Sequence, residues 1–556
     1  MMHLKKILLY YNTLKYLRWK QISYRIWYFL RKRGRKWVGF SYKFEKNTPL
    51  FVPFIPMGIG SINALFQSSI AFQISYFNEN NFTFLNKNKK FNNNIDWEFA
   101  DYGKLWTYNL TYFDFLNQKE NEHFKSDFIR IIEDFIQKQP SLNTANEPFP
   151  TALRGINWVK YFTKNKLQNP RFDRSLFHQF QILADNIEYH LLGNHLLENG
   201  FSMLFGAIYF QHAPFFKTAN NILTTELKEQ ILADGAHFEL CPMYHKIMLF
   251  RVLDCYNLLK TPISDWQYEI ESLKKLLSDK AGLMLGWLDN MTYSDGGTPH
   301  FGDSTTGIAP TSKELFEYAE RVQISKKTTP LSISGFRKLQ KGQFELIAKI
   351  GKIGPDYIPG HAHADSLSFE LSINNKLLLV DTGISTYETN ERRQLERSTA
   401  SHNTVEINGQ NSSEVWGSFR IGNRAKTTLL KDTPTELWAT HDGYKKWGVH
   451  HERQFSLQDN SVLILDKTGE NVVSKAFWHF HPNIILTKDN TRVYFENGEM
   501  EFLIPDTDKT KGEEIEIIDY LLPTQYNTFL KAKKVIITFN STLKTRITLY
   551  ENPLFN

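Results

Sequence analysis

The segment Gly360-His361-Ala362-His363-Ala364-Asp365, followed further along by Asp381 and His402, combines residue types that bind metals or transfer protons. In an extended segment, residues two apart share one face and lie about 6.6 to 6.8 Å apart, so His361 and His363 are expected to point into the same space. An apolar run ending at Asp381 predicts a buried strand, and a carboxylate there needs a cationic or hydrogen-bonding partner. Two imidazoles and one carboxylate are ligands that Zn²⁺ takes, with water completing a tetrahedron.

A plainer interpretation stays open for each of these residues. A single buried histidine is usually a hydrogen-bonded core residue, and Asp365 would then hold His363 in one tautomer. The combination is more specific than its parts, because a His-x-His pair, an apolar strand ending in Asp-Thr-Gly and a later histidine rarely coincide.

These residues resemble the motif of the heparinase II/III-like family of polysaccharide lyases, and the spacing from His363 to Asp381 agrees with that family. The resemblance implies that His361 lies in the active site. It also implies that His363, Asp381 and His402 bind a structural Zn²⁺, which would fix the loop that carries His361.

The rest of the chain divides into two contrasting halves that would position these residues. Helical periodicity predicts helices over Phe124–Gln137, Leu153–Tyr161, Leu176–Leu192, Phe201–Phe210, Met243–Leu259 and Glu269–Leu288. Alternating runs then predict strands over Phe344–Lys349, Leu367–Ile373, Lys376–Val380, Ser461–Asp466 and Lys533–Phe539. We therefore expect a basic leader with short strands over 1–95, a helical domain over 96–325 and a β domain over 331–556. The resemblance implies that these two domains are an incomplete (α/α) toroid and an antiparallel β-sandwich.

The first polar motif of the helical half is Gly193 to Asn199. If a helix begins here, Asn194 and Glu198 share a face, and His195 meets Glu198 at an offset of three. Asn194 would alternatively act only as a helix cap. The resemblance implies that Asn194 and His195 neutralise a substrate carboxylate, with Glu198 as a weaker neighbour.

A second motif places Tyr244 and His245 just after Pro242, which suits the first position of a helix. Aligned backbone dipoles at a helix start favour negative charge, which would modestly favour a tyrosinate. Such a pair is otherwise an ordinary core or surface feature. The resemblance implies that Tyr244 is a catalytic tyrosine with His245 adjoining it.

The predicted reaction is β-elimination in a uronic acid polymer. Asn194 and His195 would stabilise the enolate-like charge on the carboxylate. Tyr244 would protonate the departing O4, or act as a base if its proton is shared, and His361 or His245 would be the partner base that removes the C5 proton. The role of the metal would be mainly structural.

Other polar residues are candidates for the sugar groove, with arginine suited to carboxylates. They are Tyr108, Asn109, Tyr112, Arg154, Asn157, Trp158 and Arg397. Arg154 and Trp158, four residues apart on a helix, would alternatively be a packed pair. The segments Asp295-Gly296-Gly297 and Gly302-Asp303-Ser304 are interpreted as tight loops without chemistry.

Composition is that of a globular protein, since 41% of the 556 residues are hydrophobic and 22% are charged. The length predicts more than one domain. The only cysteines, Cys241 and Cys255, are expected to be buried thiols and not a disulfide.

Charge is concentrated at the start of the chain, because Met1 to Phe44 contains no acidic residue while lysines and arginines alternate with apolar and aromatic residues. The segment has neither the apolar core of a signal peptide nor a membrane-spanning run. Residues 1–36 would lie on an anionic membrane or pack on the protein itself. We expect a protein that is cytoplasmic or peripheral to the inner face of the membrane, and no nucleic-acid partner, because no nucleic-acid module is evident.

Two rival functions stay open beside a lyase for acidic polysaccharides or oligosaccharides. A uronate C5-epimerase would use the same proton abstraction, and a non-catalytic glycan-binding protein of capsule or exopolysaccharide biosynthesis would use none of it. The sequence specifies neither the polymer nor the oligomeric state.

Overall fold

A computed structural model of the chain describes residues 2–40, 42, 69–92, 94–260, 266–504 and 515–550. Within these ranges the helices precede most of the strands. The helices are α1 (Met2–Leu14), α2 (Trp19–Trp37), α3 (Lys104–Tyr112), α4 (Lys125–Lys138), α5 (Pro148–Lys164), α6 (Pro170–Asp185), α7 (Gly193–Phe210), α8 (Ala213–Gln230), α9 (Pro242–Leu258), α10 (Gln267–Met291), α11 (Ser312–Arg321) and the short α12 (Glu391–Glu396).

The helices of the first half form because apolar residues recur at helical spacing and are buried together. In α4, for example, Phe128, Ile131, Ile132 and Phe135 are fully buried. The helices from α3 to α11 share one continuous apolar core. In α7 every residue except His195 is buried, so this helix lies in the middle of the helical half.

The strands follow in a regular order. They are β1 (Asn81–Phe84), β2 (Lys87–Lys90), β3 (Phe336–Lys341), β4 (Phe344–Lys349), β5 (Phe369–Ile373), β6 (Lys376–Leu379), β7 (Val405–Ile407), β8 (Val415–Trp416), β9 (Arg420–Ile421), β10 (Thr427–Asp432), β11 (Glu436–His441), β12 (His451–Leu457), β13 (Ser461–Lys467), β14 (Ser474–His479), β15 (Thr487–Lys488), β16 (Arg492–Phe495), β17 (Gly498–Leu503), β18 (Ile515–Gln525), β19 (Thr528–Phe539) and β20 (Thr542–Leu549).

Antiparallel pairing arranges the later strands in sheets of order β3-β4-β5-β6, β18-β19-β14-β7 and β10-β11-β12-β13-β20-β17-β16-β15. The sheets meet at Phe369 of β5. Its ring centroid lies 5.2 Å from that of Phe455 in β12 and 5.8 Å from that of Trp478 in β14. Alternating inward residues of the sheets therefore form a single apolar core, which is distinct from the helical one.

The predicted order of a helical half and then a β half is confirmed, although some boundaries differ. The helix expected over Leu176–Leu192 ends at Asp185, and α7 begins at Gly193 after a turn in which Gly193 has a φ of +60°. Both cysteines are free and buried, as expected. The domain limits at residues 95 and 331 stay predictions, with α11 ending at Arg321 and β3 beginning at Phe336.

The geometry expected for His361 and His363 was that of an extended strand, but the pair does not lie on one. Both residues lie in the long loop between β4 and β5. Asp365 does not hold His363, because its carboxylate accepts hydrogen bonds from buried Lys349 at 2.7 and 2.9 Å. A different aspartate holds the two histidines.

The basic start of the chain forms α1 and α2. One side of α2 packs on the helical half, where Gln21 donates a hydrogen bond to the carbonyl of Leu191 at 3.1 Å. Arg31 and Arg35 both contact the carboxylate of Asp185. Across the described part of the chain, no helix is long and apolar enough to cross a membrane.

Candidate active site

His361 lies where the two halves of the chain meet. Its Nε2 is 3.3 Å from Nδ2 of Asn194, at the start of α7, and 3.3 Å from Oε2 of Glu239, in the loop before α9. Its Nδ1 is 2.9 Å from Oδ2 of Asp303, in the loop between α10 and α11. The side chain is 12% exposed, so one edge of the ring reaches solvent. The structure thus brings two predicted residues, Asn194 and His361, into contact.

Asp303 fixes both histidines of the His-x-His pair. One carboxylate oxygen faces Nδ1 of His361, and the other lies 2.8 Å from Nε2 of His363. Arg393 of α12 donates to the two oxygens at 2.5 and 2.8 Å. Burial would raise the pKa of Asp303, but Arg393 and the histidine contacts outweigh it and hold that pKa well below its usual range. The group is therefore an ionised carboxylate at neutral pH.

This carboxylate determines which nitrogen of His361 carries the proton. An ionised carboxylate only accepts hydrogen bonds, so Nδ1 of His361 is the donor, and in the neutral ring Nε2 is unprotonated. Nε2 faces Asn194 at the partly exposed edge. The pair resembles other carboxylate–imidazole pairs, in which the carboxylate orients the ring and stabilises it when it gains a proton.

Tyr244 completes the cluster from the first turn of α9. Pro242 begins this helix, as predicted. The tyrosine ring stacks on His361 with ring centroids 3.7 Å apart, and its hydroxyl lies 3.1 Å from that of Tyr387. Burial raises the pKa of Tyr244 well above its usual value. The expectation that the helix start favours a tyrosinate is therefore wrong, because the desolvation cost outweighs the helix dipole, and the phenol keeps its proton.

His245 has a different environment from its neighbour. Its Nδ1 accepts a hydrogen bond from the backbone N–H of His237 at 3.2 Å, and its Nε2 lies 3.0 Å from the carbonyl of Met284. Burial lowers the pKa of His245 to about 3. Both nitrogens are used by the backbone, so the structure gives this residue a packing role and no access to a substrate.

His195 is the one residue of α7 that is only partly buried. Its Nδ1 lies 3.1 Å from Oε1 of Glu188, its side chain is 34% exposed, and its ring lies against Phe149. Burial lowers the pKa of His195, but Glu188, with Glu239 and Glu198, outweighs it, and the net pKa is raised. An imidazole that gains a proton more readily than usual, next to Asn194 in sequence, is suited to an anionic ligand. Glu198 is turned away, because it pairs with buried Arg251 at 3.2 Å.

Most residues predicted for the sugar groove form contacts within the protein. Arg154 and Trp158 are fully buried; Arg154 donates to Gln179 and to backbone carbonyls, and Trp158 packs among aromatic rings. Asn109 donates to the carbonyl of Leu105 at 2.8 Å, and Asn157 to that of Tyr112 at 2.9 Å. The predictions for Arg154, Asn157 and Trp158 are corrected because all three side chains are fully buried, and Oδ1 of Asn157 and Nε1 of Trp158 have no hydrogen-bond partner. Tyr108 bonds to Glu147 and is partly buried.

Arg397 has a role that differs from the predicted one. It is fully buried and donates to the carbonyl of Ala362, between the two histidines, at 3.0 Å. Its own carbonyl accepts from the N–H of Ala364 at 3.0 Å. Arg397 therefore holds the His-x-His loop in place and leaves no donor for a substrate.

The predicted zinc ligands are close together but do not form a closed site. Nδ1 of His402 lies 2.9 and 3.0 Å from the two oxygens of Asp381, and the rings of His363 and His402 are 5.2 Å apart. All three residues are fully buried. Nδ1 of His363 and Nε2 of His402 have no hydrogen-bond partner.

Over the described ranges, no group of three or more His, Cys, Asp or Glu side chains is arranged to hold a metal ion. The donor types suit Zn²⁺, and the unpaired Nδ1 of His363 is the kind of atom that a metal would satisfy. The zinc site stays a prediction.

Sequence reasoning missed four residues of the cluster: Glu239, Asp303, Tyr387 and Arg393. The sequence indicates only a tight loop at Asp303, and no pattern in it indicates a role for Glu239. The one available signal was the position of Glu239 between Phe238 and Leu240, since a carboxylate among apolar residues is costly to bury unless it is paired.

Comparisons with known proteins give consistent results. The family model described as heparinase II/III N-terminus matches residues 54–323, and the one described as heparinase II/III-like, C-terminal, matches residues 324–550. The chain is 26% identical to a heparin-sulfate lyase of Pedobacter heparinus over 334 residues, 52% of this chain and 49% of that protein. It is 25% identical to a heparin-sulfate lyase of Bacteroides stercoris over 396 residues, 62% of this chain and 58% of that protein. The chain thus spans about half the length of these curated relatives.

Solved structures agree on the fold. The crystal structure of heparinase III superposes with a TM-score of 0.65 at 16% identity, over 91% of this chain and 86% of that one. The heparan sulfate lyase HepC of Pedobacter heparinus gives a TM-score of 0.54 at 19% identity, over 85% of this chain and 82% of that one. The predicted fold class, a helical toroid followed by an antiparallel β-sheet domain, is confirmed.

Proposed function

We propose, from the premise that the chain belongs to the heparinase II/III-like family, that it is a polysaccharide lyase cleaving uronic-acid-containing polymers by β-elimination. The observation that carries the proposal is the convergence of Asn194, Tyr244 and His361 on one partly exposed spot. An amide donor, a protonated phenol and an imidazole with a free nitrogen are the groups that this reaction needs.

The first step concerns the substrate carboxylate. Removing the C5 proton places negative charge on that carboxylate, and Nδ2 of Asn194 is positioned to donate to it. Glu239 lies 3.4 Å from the same amide. Burial raises the pKa of Glu239, although His361 partly opposes this. In its protonated form Glu239 adds a second donor, whereas its ionised form would repel the substrate, and His195 adds positive charge nearby when it is protonated.

Proton transfer then proceeds between two stacked rings. Nε2 of His361 takes the C5 proton, and the electron pair left at C5 forms the C4=C5 double bond. The C4–O4 bond breaks, and the hydroxyl of Tyr244 gives its proton to O4. Asp303 stabilises the imidazolium that results, and the hydroxyl of Tyr387 orients that of Tyr244. The products are an unsaturated uronate and a free hydroxyl end.

The test is a screen of acidic polysaccharides for products that absorb in the ultraviolet through a C4=C5 double bond. Heparan sulfate comes first in the screen because the curated relatives are heparin-sulfate lyases. Tyr244→Phe should lower kcat by about 10²- to 10⁴-fold, as expected for loss of a general acid. Tyr268→Phe removes the same atom from a tyrosine that is 85% exposed and should change nothing.

The rival functions give different results in this screen. An epimerase would produce no absorbance but would incorporate deuterium at C5 from heavy water. A glycan-binding protein would bind the polymer without changing it. Either result, if obtained with every polysaccharide in the screen, would contradict the proposal that the protein is a lyase.

Zinc is a second proposal on the same loop. We infer that His363, Asp381 and His402 hold a structural Zn²⁺, supported by their donor chemistry, their full burial and the unpaired nitrogens of both histidines. When bound, the ion would crosslink the loop of His363 to the strand end at Asp381. The elimination itself is carried by Asn194, Tyr244 and His361.

A further inference from the structure

Helix α2 carries an apolar row on the side that faces away from the protein. The row consists of Trp19, Ile26, Leu30 and Trp37, here named the outer stripe. Spacings of seven, four and seven residues place these side chains on one side of a helix. Their side chains are exposed by 77, 53, 56 and 92%, respectively. Four large apolar residues in one exposed row are costly in water and indicate a partner.

The opposite side of α2 is fixed to the helical half by polar contacts. Gln21 is 1% exposed and donates to the carbonyls of Leu191 and Tyr357. Tyr28 donates to the carbonyl of Ile187, and Arg31 contacts Asp185. Because these contacts settle which side of α2 packs inward, the outer stripe does not serve the protein's own core.

Positive charge surrounds the outer stripe. The exposed cations of α2 are Lys20, Arg25, Lys32, Arg33 and Lys36, and Met1 to Phe44 contains no acidic residue. Helix α1 repeats the pattern on a smaller scale, with Ile7, Tyr11 and Leu14 exposed by 63, 63 and 51%. Lys15 is exposed beside them.

We propose that the outer stripe and its cations bind the surface of a membrane that contains anionic lipids, with α2 lying flat in the interface. The 19 residues of α2 span about 28 Å, at 1.5 Å per residue. Tryptophan at both ends suits the headgroup layer, aliphatic side chains between them suit the acyl boundary, and the cations match anionic headgroups. These features support the predicted membrane contact through residues 1–36.

An acidic polysaccharide is the other anionic partner that basic helices attract. The outer stripe favours lipid over glycan, because Ile26 and Leu30 offer no flat ring for stacking on a sugar and no donor for a carboxylate. A polysaccharide would account for the cations and could stack on Trp19 and Trp37, but it would leave Ile26 and Leu30 in water.

The experiment is co-sedimentation of the full-length protein with phosphatidylcholine vesicles, with and without phosphatidylglycerol. Binding should require phosphatidylglycerol and weaken as salt rises, since the Debye length falls from about 10 Å at 0.1 M to about 3 Å at 1 M. The variant Ile26→Glu/Leu30→Glu should lose about tenfold or more in binding. The matched control is Ile333→Glu/Ile485→Glu, at positions 66 and 82% exposed in the β half, which should bind as the unaltered protein does.

Three outcomes would overturn the proposal. The first is no binding of the unaltered protein to either vesicle, and the second is an equal loss in the control variant. The third combines two results: the protein does not bind vesicles, and Lys32→Ser/Lys36→Ser weakens its retention on an immobilised acidic polysaccharide. That combination would show that this surface binds glycan. Lyase activity of Ile26→Glu/Leu30→Glu on soluble polymer should be unchanged, so failure here and failure of the proposed function are separable.

Discussion

The imidazole of His361 lies nearly flat against the phenol ring of Tyr244, with ring centroids 3.7 Å apart and ring planes inclined by 22°. One residue comes from the β half and the other from the helical half. A proton acceptor and a proton donor are thus held side by side before a substrate arrives. Such preorganisation lowers the barrier, because the groups need not be brought together during the reaction.

Asp303 is predicted to control the tautomer of His361. Asp303→Asn removes the ionised acceptor at Nδ1, so the free nitrogen no longer reliably faces the substrate. We expect kcat to fall by about 10²- to 10⁴-fold, as in other carboxylate–imidazole pairs. Initial rates on the best polymer of the screen measure this.

The same variant also leaves buried Arg393 short of an anionic partner, at a cost of about 3 to 5 kcal/mol in the free energy of unfolding. Rates must therefore be compared below the melting temperatures of both proteins. Asp295→Asn, on an exposed residue earlier in the same loop, is the matched control. Full activity of folded Asp303→Asn would contradict the role.

Gly302 is predicted to be essential for the position of the histidine loop. Its φ is +60°, and a Cβ built on it would lie 2.7 Å from the carbonyl oxygen of His361. Gly302→Ala should displace that loop and lower kcat by about tenfold or more, since small displacements of catalytic groups are costly.

Gly296 provides the control for Gly302. Its φ is +89°, but a Cβ there would meet nothing within 4 Å. Gly296→Ala therefore has backbone strain of about 1 kcal/mol without the clash, and should leave kcat unchanged. Equal rates for the two variants would show that the close approach to His361 is unimportant.

Sequence alone predicted the reactive residues of this site but few of the residues that hold them in place. The residues with reactive side chains in short motifs, Asn194, Tyr244 and His361, are brought together as expected. Asp303 and Glu239 were missed because each acts through a contact between segments far apart in sequence. No local pattern encodes such a contact, which depends on how the two halves pack.

Several of the side chains predicted for the sugar groove are buried instead, for a physical reason. An arginine or tryptophan in a helix has the same local pattern whether it faces a substrate or the interior. Arg154 and Arg397 are buried because unpaired backbone carbonyls at loops and helix ends need donors, and a guanidinium supplies several. The order of helices and strands was easier to predict, since hydrophobic periodicity reports it directly.

Glu239 is predicted to work in its protonated form. Since burial raises its pKa, the carboxyl stays protonated to a higher pH than usual, and activity should fall as pH rises through that raised pKa. Glu239→Gln cannot ionise, so it should keep most of the activity and lose this alkaline decline. Glu239→Ala should lose about tenfold, because the donor is gone.

A pH–rate profile of kcat/KM for these variants measures the effect. Glu271→Gln, at an exposed position of α10, controls for the change of charge. If Glu239→Gln kept the alkaline limb of the original protein, another group would be responsible for it.

The zinc proposal predicts about one Zn²⁺ per chain in protein purified without chelator. His363→Ala and His402→Ala should each remove the metal and lower the melting temperature, because the loop would lose its crosslink. Elemental analysis and thermal melting with and without chelator provide the readouts. His450→Ala, at an exposed histidine, is the control. The proposal would be contradicted if the protein were purified without metal and its melting temperature changed with neither chelator nor added Zn²⁺.

The division of the cluster between the two halves has a consequence for the timing of synthesis. Asn194 and Tyr244 leave the ribosome well before His361, and domains of a growing chain generally fold from the N-terminal side first. A folded helical half therefore holds the donor groups without their base. The proposed elimination therefore requires the β half to have closed on the helical half, so an unfinished molecule lacks the proposed base.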